Sequence, residues 1–207
     1  MNKDAFIIKV CGMRNGKNIR AVEPLGVDWM GFIFYPPSKR FVGATPEYLP
    51  MKTKRVGVFV NESTEIILDK VTLFSLDIVQ LHGDESPEQC QELIDKGIKV
   101  IKAFGIGTTF PSDKIEPYEG SCDYFLFDTQ TSAYGGSGRK FNWDILQTYQ
   151  GSSPFLLSGG ISEDDVQTIQ EFSHPMCIGI DINSKFELSP ANKNIQSIQQ
   201  FIKSLKQ

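Results

Sequence analysis

Eight short runs of apolar, β-branched and aromatic residues punctuate the chain: Phe6 to Val10, Trp29 to Phe34, Arg55 to Val60, Ile78 to Leu81, Val100 to Phe104, Tyr124 to Phe127, Phe155 to Leu157 and Cys177 to Ile180. They start roughly 20 to 30 residues apart, the length of a strand, a loop, a helix and a return loop. Strands that are continuously apolar and separated by helices imply a parallel sheet covered on its outer face. Eight such units with right-handed crossovers point to a closed (β/α)₈ barrel, a TIM barrel. An open doubly wound sheet is the alternative, but no G-x-G-x-x-G follows the first run, and polar residues gather where the runs end. A chain of 207 residues is within the range of one such domain, spanning 1–207.

The segments between runs carry helix punctuation. In HGDESPEQCQELIDKG, Ser86 caps, Pro87 fits the first helical position, Gln89 completes a capping box and Gly97 closes the helix. Ser162 precedes EDDVQTIQEF, whose acidic residues suit a first turn. Near the C-terminus, Ile195, Ile198, Ile202 and Leu205 form one apolar stripe at helical spacing. Two crossovers are weak, because Pro46 and Pro50 interrupt one and Pro111 and Pro117 the other, so short or irregular helices are expected there.

Composition narrows the class of function. The net charge of −4 comes with dispersed lysines and arginines, which argues against a nucleic-acid partner and for a small ligand. No apolar stretch approaches the roughly 20 residues of a membrane span, and the first residues lack the long apolar core of a signal peptide. Four scattered cysteines, Cys11, Cys90, Cys122 and Cys177, form no C-x-x-C pair and read as free thiols in a reducing, cytoplasmic compartment. His82 and His174 lack metal-ligand neighbours at suitable spacing, so no metal site is expected. Monomer and homodimer both remain open.

In a (β/α)₈ barrel the active site is built from the loops after the strand C-termini. Those positions hold Cys11 and Gly12 after the first run, Arg40 in PPSKR after the second, Asn61 after the third and His82 and Gly83 after the fourth. Asp128 ends the sixth, Ser158, Gly159 and Gly160 the seventh, and Asp181, Ile182, Asn183 and Ser184 the eighth. Taken alone, Cys11 reads as a small buried hydrophobe, and its place at a strand end beside a glycine adds the reading of a proton acceptor. Asp128 reads either as a loop cap or as an acid. Strands one and six lie three apart round the ring, on the order of 10 Å across the mouth, so a small substrate fits between them. Glycines 159 and 160, with Asn183 and Ser184, suit a phosphate, since the loops after strands seven and eight commonly bind one. Arg40 is either a solvated basic residue or a clamp for a carboxylate, and His82 is a substrate contact or a satisfied strand-end histidine. The glycines at 135, 136 and 138 read as a lid or as a plain surface loop.

The segments KVCGMR, GFIFYPPSKR, RVGVFVNE, VQLHGDE, FLFDT, YGGSGRKFNW, LSGGI and GIDINSKFE together resemble the phosphoribosylanthranilate isomerase family, in order and over nearly the whole chain. The resemblance implies a cofactor-free Amadori rearrangement of N-(5-phosphoribosyl)anthranilate, with Cys11 as general base and Asp128 as general acid. It further implies that Arg40 meets the anthranilate carboxylate, that His82 contacts substrate, and that Gly159, Gly160, Asp181, Asn183 and Ser184 serve the phosphate end. The chain departs from the family after the strand-eight aspartate, where Asn183, Ser184, Lys185 and Phe186 replace a serine pair, glycine and valine. Asn183 keeps a donor there, and Lys185 is expected to add charge near the phosphate. The stretch from Gly43 to Lys54 is also shorter than the family's second helix.

Overall fold

The computed structural model describes residues 6–130 and 141–207. The sequence-predicted lid glycines at 135, 136 and 138 lie outside the described residues. Eight parallel strands close into a barrel in chain order: β1 (Ile7–Val10), β2 (Trp29–Ile33), β3 (Lys54–Phe59), β4 (Ile78–Leu81), β5 (Lys99–Ile106), β6 (Tyr124–Thr129), β7 (Phe155–Leu157) and β8 (Cys177–Ile182). Ring closure comes from β1 pairing with β8, with Ile7 opposite Gly179 and Lys9 opposite Asp181. Each of the eight apolar runs became a strand, because a run flanked by turn residues and buried on both faces has little alternative to a parallel ladder.

Side chains alternate between two cores along each strand. Inside the barrel, Trp29, Val56, Ile78, Ile101, Ala103, Leu126 and Leu156 pack together. Outside, Ile8, Val10, Met30, Phe32, Val79, Val100, Phe125 and Phe127 face the helices. The inner apolar cluster fills only part of the cylinder. Above it, toward the strand C-termini, the inward positions turn polar.

The helices are uneven. Those with clear punctuation are regular: α1 (Gly16–Val22), α2 (Thr64–Phe74), α3 (Pro87–Asp95) and, at the C-terminus, α6 (Ile195–Leu205). Ser86 caps α3 by accepting from the Gln89 amide at 3.3 Å, but Gln89 turns away to donate to the Glu62 carbonyl, so the expected capping box is half formed. Ser162 does form one, with Asp165 accepting back from its amide at 2.7 Å; a 3₁₀ turn follows before α5 (Val166–Glu171).

Between β2 and β3 no helix forms among the described residues. There Glu23 accepts from the amides of Met51 and Lys52 at 2.6 and 2.7 Å and from the Tyr48 hydroxyl, so a carboxylate satisfies backbone groups that a helix would otherwise pair. The other weak crossover shrinks to α4 (Ser112–Ile115) and a 3₁₀ turn. After β8 the chain makes a small antiparallel hairpin, β9 (Glu187–Ser189) with β10 (Asn192–Lys193), that the sequence did not announce. No helix among the described residues is long and apolar enough to cross a membrane.

Candidate active site

A cavity open to solvent lies at the C-terminal end of the barrel. Its lining includes Cys11, Arg40, His82, Asp128, Gly159, Gly160, Asp181, Asn183 and Ser184, the nine residues to which the resemblance gives catalytic or substrate-binding roles. Gln80 and Ser158 also line it. Lys185 does not line it, and its side chain is exposed.

Cys11 is fixed from both sides. Its amide donates to the Ile182 carbonyl at 2.9 Å, and two residues on the Met13 amide donates to Gly31 at 2.9 Å, stitching the end of β1 to β8 and β2. Gly12 follows with φ +79°, and a Cβ there would stand 2.6 Å from Arg40 Cδ and 2.8 Å from Asn183 Oδ1. Glycine is therefore required by both conformation and space. Burial pushes the Cys11 thiol above its ordinary range, against the pull of Lys9 and Lys193.

Asp128 sits across the mouth on β6. Its Oδ1 accepts from the Thr129 amide at 2.8 Å, and Oδ2 faces His82 Nε2 at 3.7 Å. Burial raises its carboxyl above the usual range in spite of that amide, which favours the protonated form. His82 is pulled down to about 4, by burial first and then by Lys9 and Lys102, so its ring is neutral at neutral pH. Gln80 Nε2 lies 2.9 Å from His82 Nδ1, so the Gln80 amide fixes the ring whose other nitrogen faces Asp128.

Sequence reasoning missed the groups behind this ring. Lys9, wholly buried, donates to Asp181 Oδ2 at 2.9 Å, which ties Asp181 to the floor beside Cys11. Arg40 is gripped by Glu187, Nε to Oε1 at 2.9 Å and Nη2 to Oε2 at 2.7 Å. Nη1 is left without a partner among the described residues. Lys193, on β10, reaches Asn183 Oδ1 at 2.7 Å and Glu187 Oε1 at 2.8 Å, so the unannounced hairpin delivers two charges to the site. Under His82, Glu85 accepts from the Asn61 and Gly83 amides, both at 2.8 Å, and pairs with Lys102 at 3.2 Å. Asn61, read as a mouth residue, thus braces the His82 loop. The one sequence signal for Lys9 was a lysine at an inward position of a buried strand.

Fold and cavity together define a (β/α)₈-barrel enzyme with a thiol and a carboxyl group in one pocket at the catalytic end of the barrel. A model of the N-(5′-phosphoribosyl)anthranilate isomerase family matches residues 8–204, and the chain belongs to that family. It is 54% identical over 202 residues to N-(5′-phosphoribosyl)anthranilate isomerase of Phocaeicola vulgatus, covering 98% of each chain. It is 48% identical to that of Parabacteroides distasonis, covering 97% of this chain and 93% of the other. Among solved structures it resembles phosphoribosyl anthranilate isomerase from Thermotoga maritima, with TM-score 0.83, 36% identity and coverage of 97% and 98%. A further isomerase structure, in complex with reduced 1-(o-carboxyphenylamino)-1-deoxyribulose 5-phosphate, matches with TM-score 0.79, 33% identity and the same coverage.

Proposed function

We propose that Cys11 and Asp128 are the base and acid of this isomerase, acting on N-(5′-phosphoribosyl)anthranilate in tryptophan biosynthesis. Asp128 protonates the furanose ring oxygen, and the C1′–O bond breaks to leave the open-chain Schiff base. Cys11 then takes the proton from C2′; the C2′–H electron pair forms the C1′=C2′ double bond and the C=N π pair returns to nitrogen, giving an enolamine that tautomerises to the ketone. Acid and base must flank one sugar for this sequence, each within hydrogen-bond reach of its own atom.

The observation that carries the reading is the shared pocket: Cys11 and Asp128 line one cavity, and the carboxyl is held toward its protonated form before substrate arrives. Arg40 offers Nη1 to the anthranilate carboxylate while Glu187 holds the rest of its fork. The backbone at Gly159 and Gly160, both at positive φ, together with Asn183 and Ser184, receives the phosphate. Asp181 carries the wrong charge for that end, and its bond to Lys9 gives it a place beneath Cys11 instead.

Loss of anthranilate-type fluorescence on adding the protein to freshly made substrate reports turnover. Cys11→Ala and Asp128→Asn should each lower kcat by about 10²-fold or more with unchanged circular dichroism. Near-parental turnover in either variant would overturn that residue's role.

A further inference from the structure

The cylinder has an apolar layer that shows what its interior accepts, yet the next inward position of β1 above Ile7 is a lysine with 0% exposure. Lys9 pairs with Asp181 across the β1–β8 ladder, at 2.9 Å and in register. A buried ion pair of this kind is a weak source of stability, because desolvating two charges offsets most of their attraction and well-packed hydrophobes do as well. The pair therefore answers to something other than the core. What lies next to it is Cys11, two residues on and so on the same side of the chain, where the ammonium and the thiol interact through their charges.

The charges round that thiol come from four elements. Lys9 faces it from β1, Asp181 from β8, Lys193 from β10 and Arg40 from the loop after β2, while Glu187 on β9 bonds both Arg40 and Lys193. Three cations thus meet two carboxylates. By formal charge one positive charge is in excess, which favours a thiolate at Cys11 against the effect of burial. Across the cavity stand neutral His82 and Asp128.

We propose that Lys9 is a positioning residue for Cys11: its ammonium, anchored by Asp181, favours the thiolate that removes the substrate proton. The inference rests on the reading of Cys11 as base. Burial alone works against the thiolate here, and Lys9 is the strongest of the groups opposing it. Lys9 itself stays charged in spite of burial, because Asp181 and Cys11 outweigh that penalty.

The test reads the thiol directly, as the rate of iodoacetamide alkylation at Cys11 against pH, located by peptide mass spectrometry. In Lys9→Met the midpoint should rise by about one pH unit or more, making alkylation about tenfold slower at a fixed pH below it. Lys9→Arg, which keeps the charge, should stay close to the parent. Should Lys9→Met fold poorly because it strands Asp181, the double variant Lys9→Met/Asp181→Asn leaves no buried charge unpaired and carries the decision, with the same upward shift expected. A midpoint in the folded variant indistinguishable from the parent's overturns the role of Lys9 while leaving the base assignment standing. A fully active Cys11→Ala variant sinks that assignment whatever Lys9 does.

Discussion

Gly31 on β2 makes room for Cys11, just past the end of β1: a Cβ at Gly31 would stand 2.6 Å from Cys11 Sγ and 3.1 Å from its Cα. The contact is with the reacting atom of the proposed base, on one side, and with backbone on the other. Gly31→Ala should therefore displace the thiol, and because catalytic geometry tolerates little error, kcat should fall at least about tenfold. Steady-state kinetics beside a thermal melt measures both effects; parental kcat would show that the thiol's position is immaterial.

Arg40 owes its orientation to Glu187, which is nearly buried and grips the guanidinium at two points. Arg40→Lys keeps the charge but loses the planar fork, so KM should rise about tenfold. Glu187→Gln keeps the shape but weakens both the grip on Arg40 and the pairing with Lys193, with a KM increase of several-fold and a smaller change in kcat. If Arg40→Lys leaves KM untouched, the carboxylate end of the substrate lies elsewhere.

Acid sensitivity follows from His82. Its ordinary pKa of 6.5 drops to about 4 in the folded chain, so between those values the unfolded state binds a proton that the folded state refuses. Stability therefore falls as pH drops through that window and levels off below it, by at most about 3 kcal/mol from this group. Urea denaturation of the parent and of His82→Gln from about pH 7 to 4 isolates the contribution, since Asp128, whose carboxyl burial raises, slopes the other way in both proteins. The two curves should converge on acidification; parallel curves would show that His82 titrates normally.

Glu85 and Lys102 form a pair with side-chain exposures of 0% and 2%, and Glu85 also secures the amides of Asn61 and Gly83. Glu85→Gln leaves the Lys102 ammonium buried without its counter-charge, which should cost about 3 kcal/mol in chemical denaturation. The loop carrying His82 loosens with it, so KM should rise in the same variant. A loss under about 1 kcal/mol would mean that water reaches Lys102 in the folded protein.

Much of the molecule was legible along the chain. Uninterrupted apolar runs such as Phe125 to Phe127 can satisfy themselves in a parallel ladder, and repeated eight times with helical spacers they close a barrel. Position at a run's end then nominates Cys11, Arg40, His82, Asp128, Gly159 and Asn183, because strand direction alone carries those ends to the same rim. Local chemistry also sets the caps at Ser86 and Ser162, as well as the failure of helix between Pro46 and Pro50.

Partnership was another matter. Lys9 and Asp181 are 172 residues apart, and Arg40 and Glu187 are 147 apart. Such pairs are created only when the ring closes β1 against β8 and folds the hairpin back over the loop after β2. Sequence periodicity reports which face of a strand a residue occupies, not which charge faces it. Proton affinities at this rim depend on burial and on those long-range neighbours. The chain itself determined the barrel and the roster of reactive groups at its mouth; tertiary closure decided their charge states.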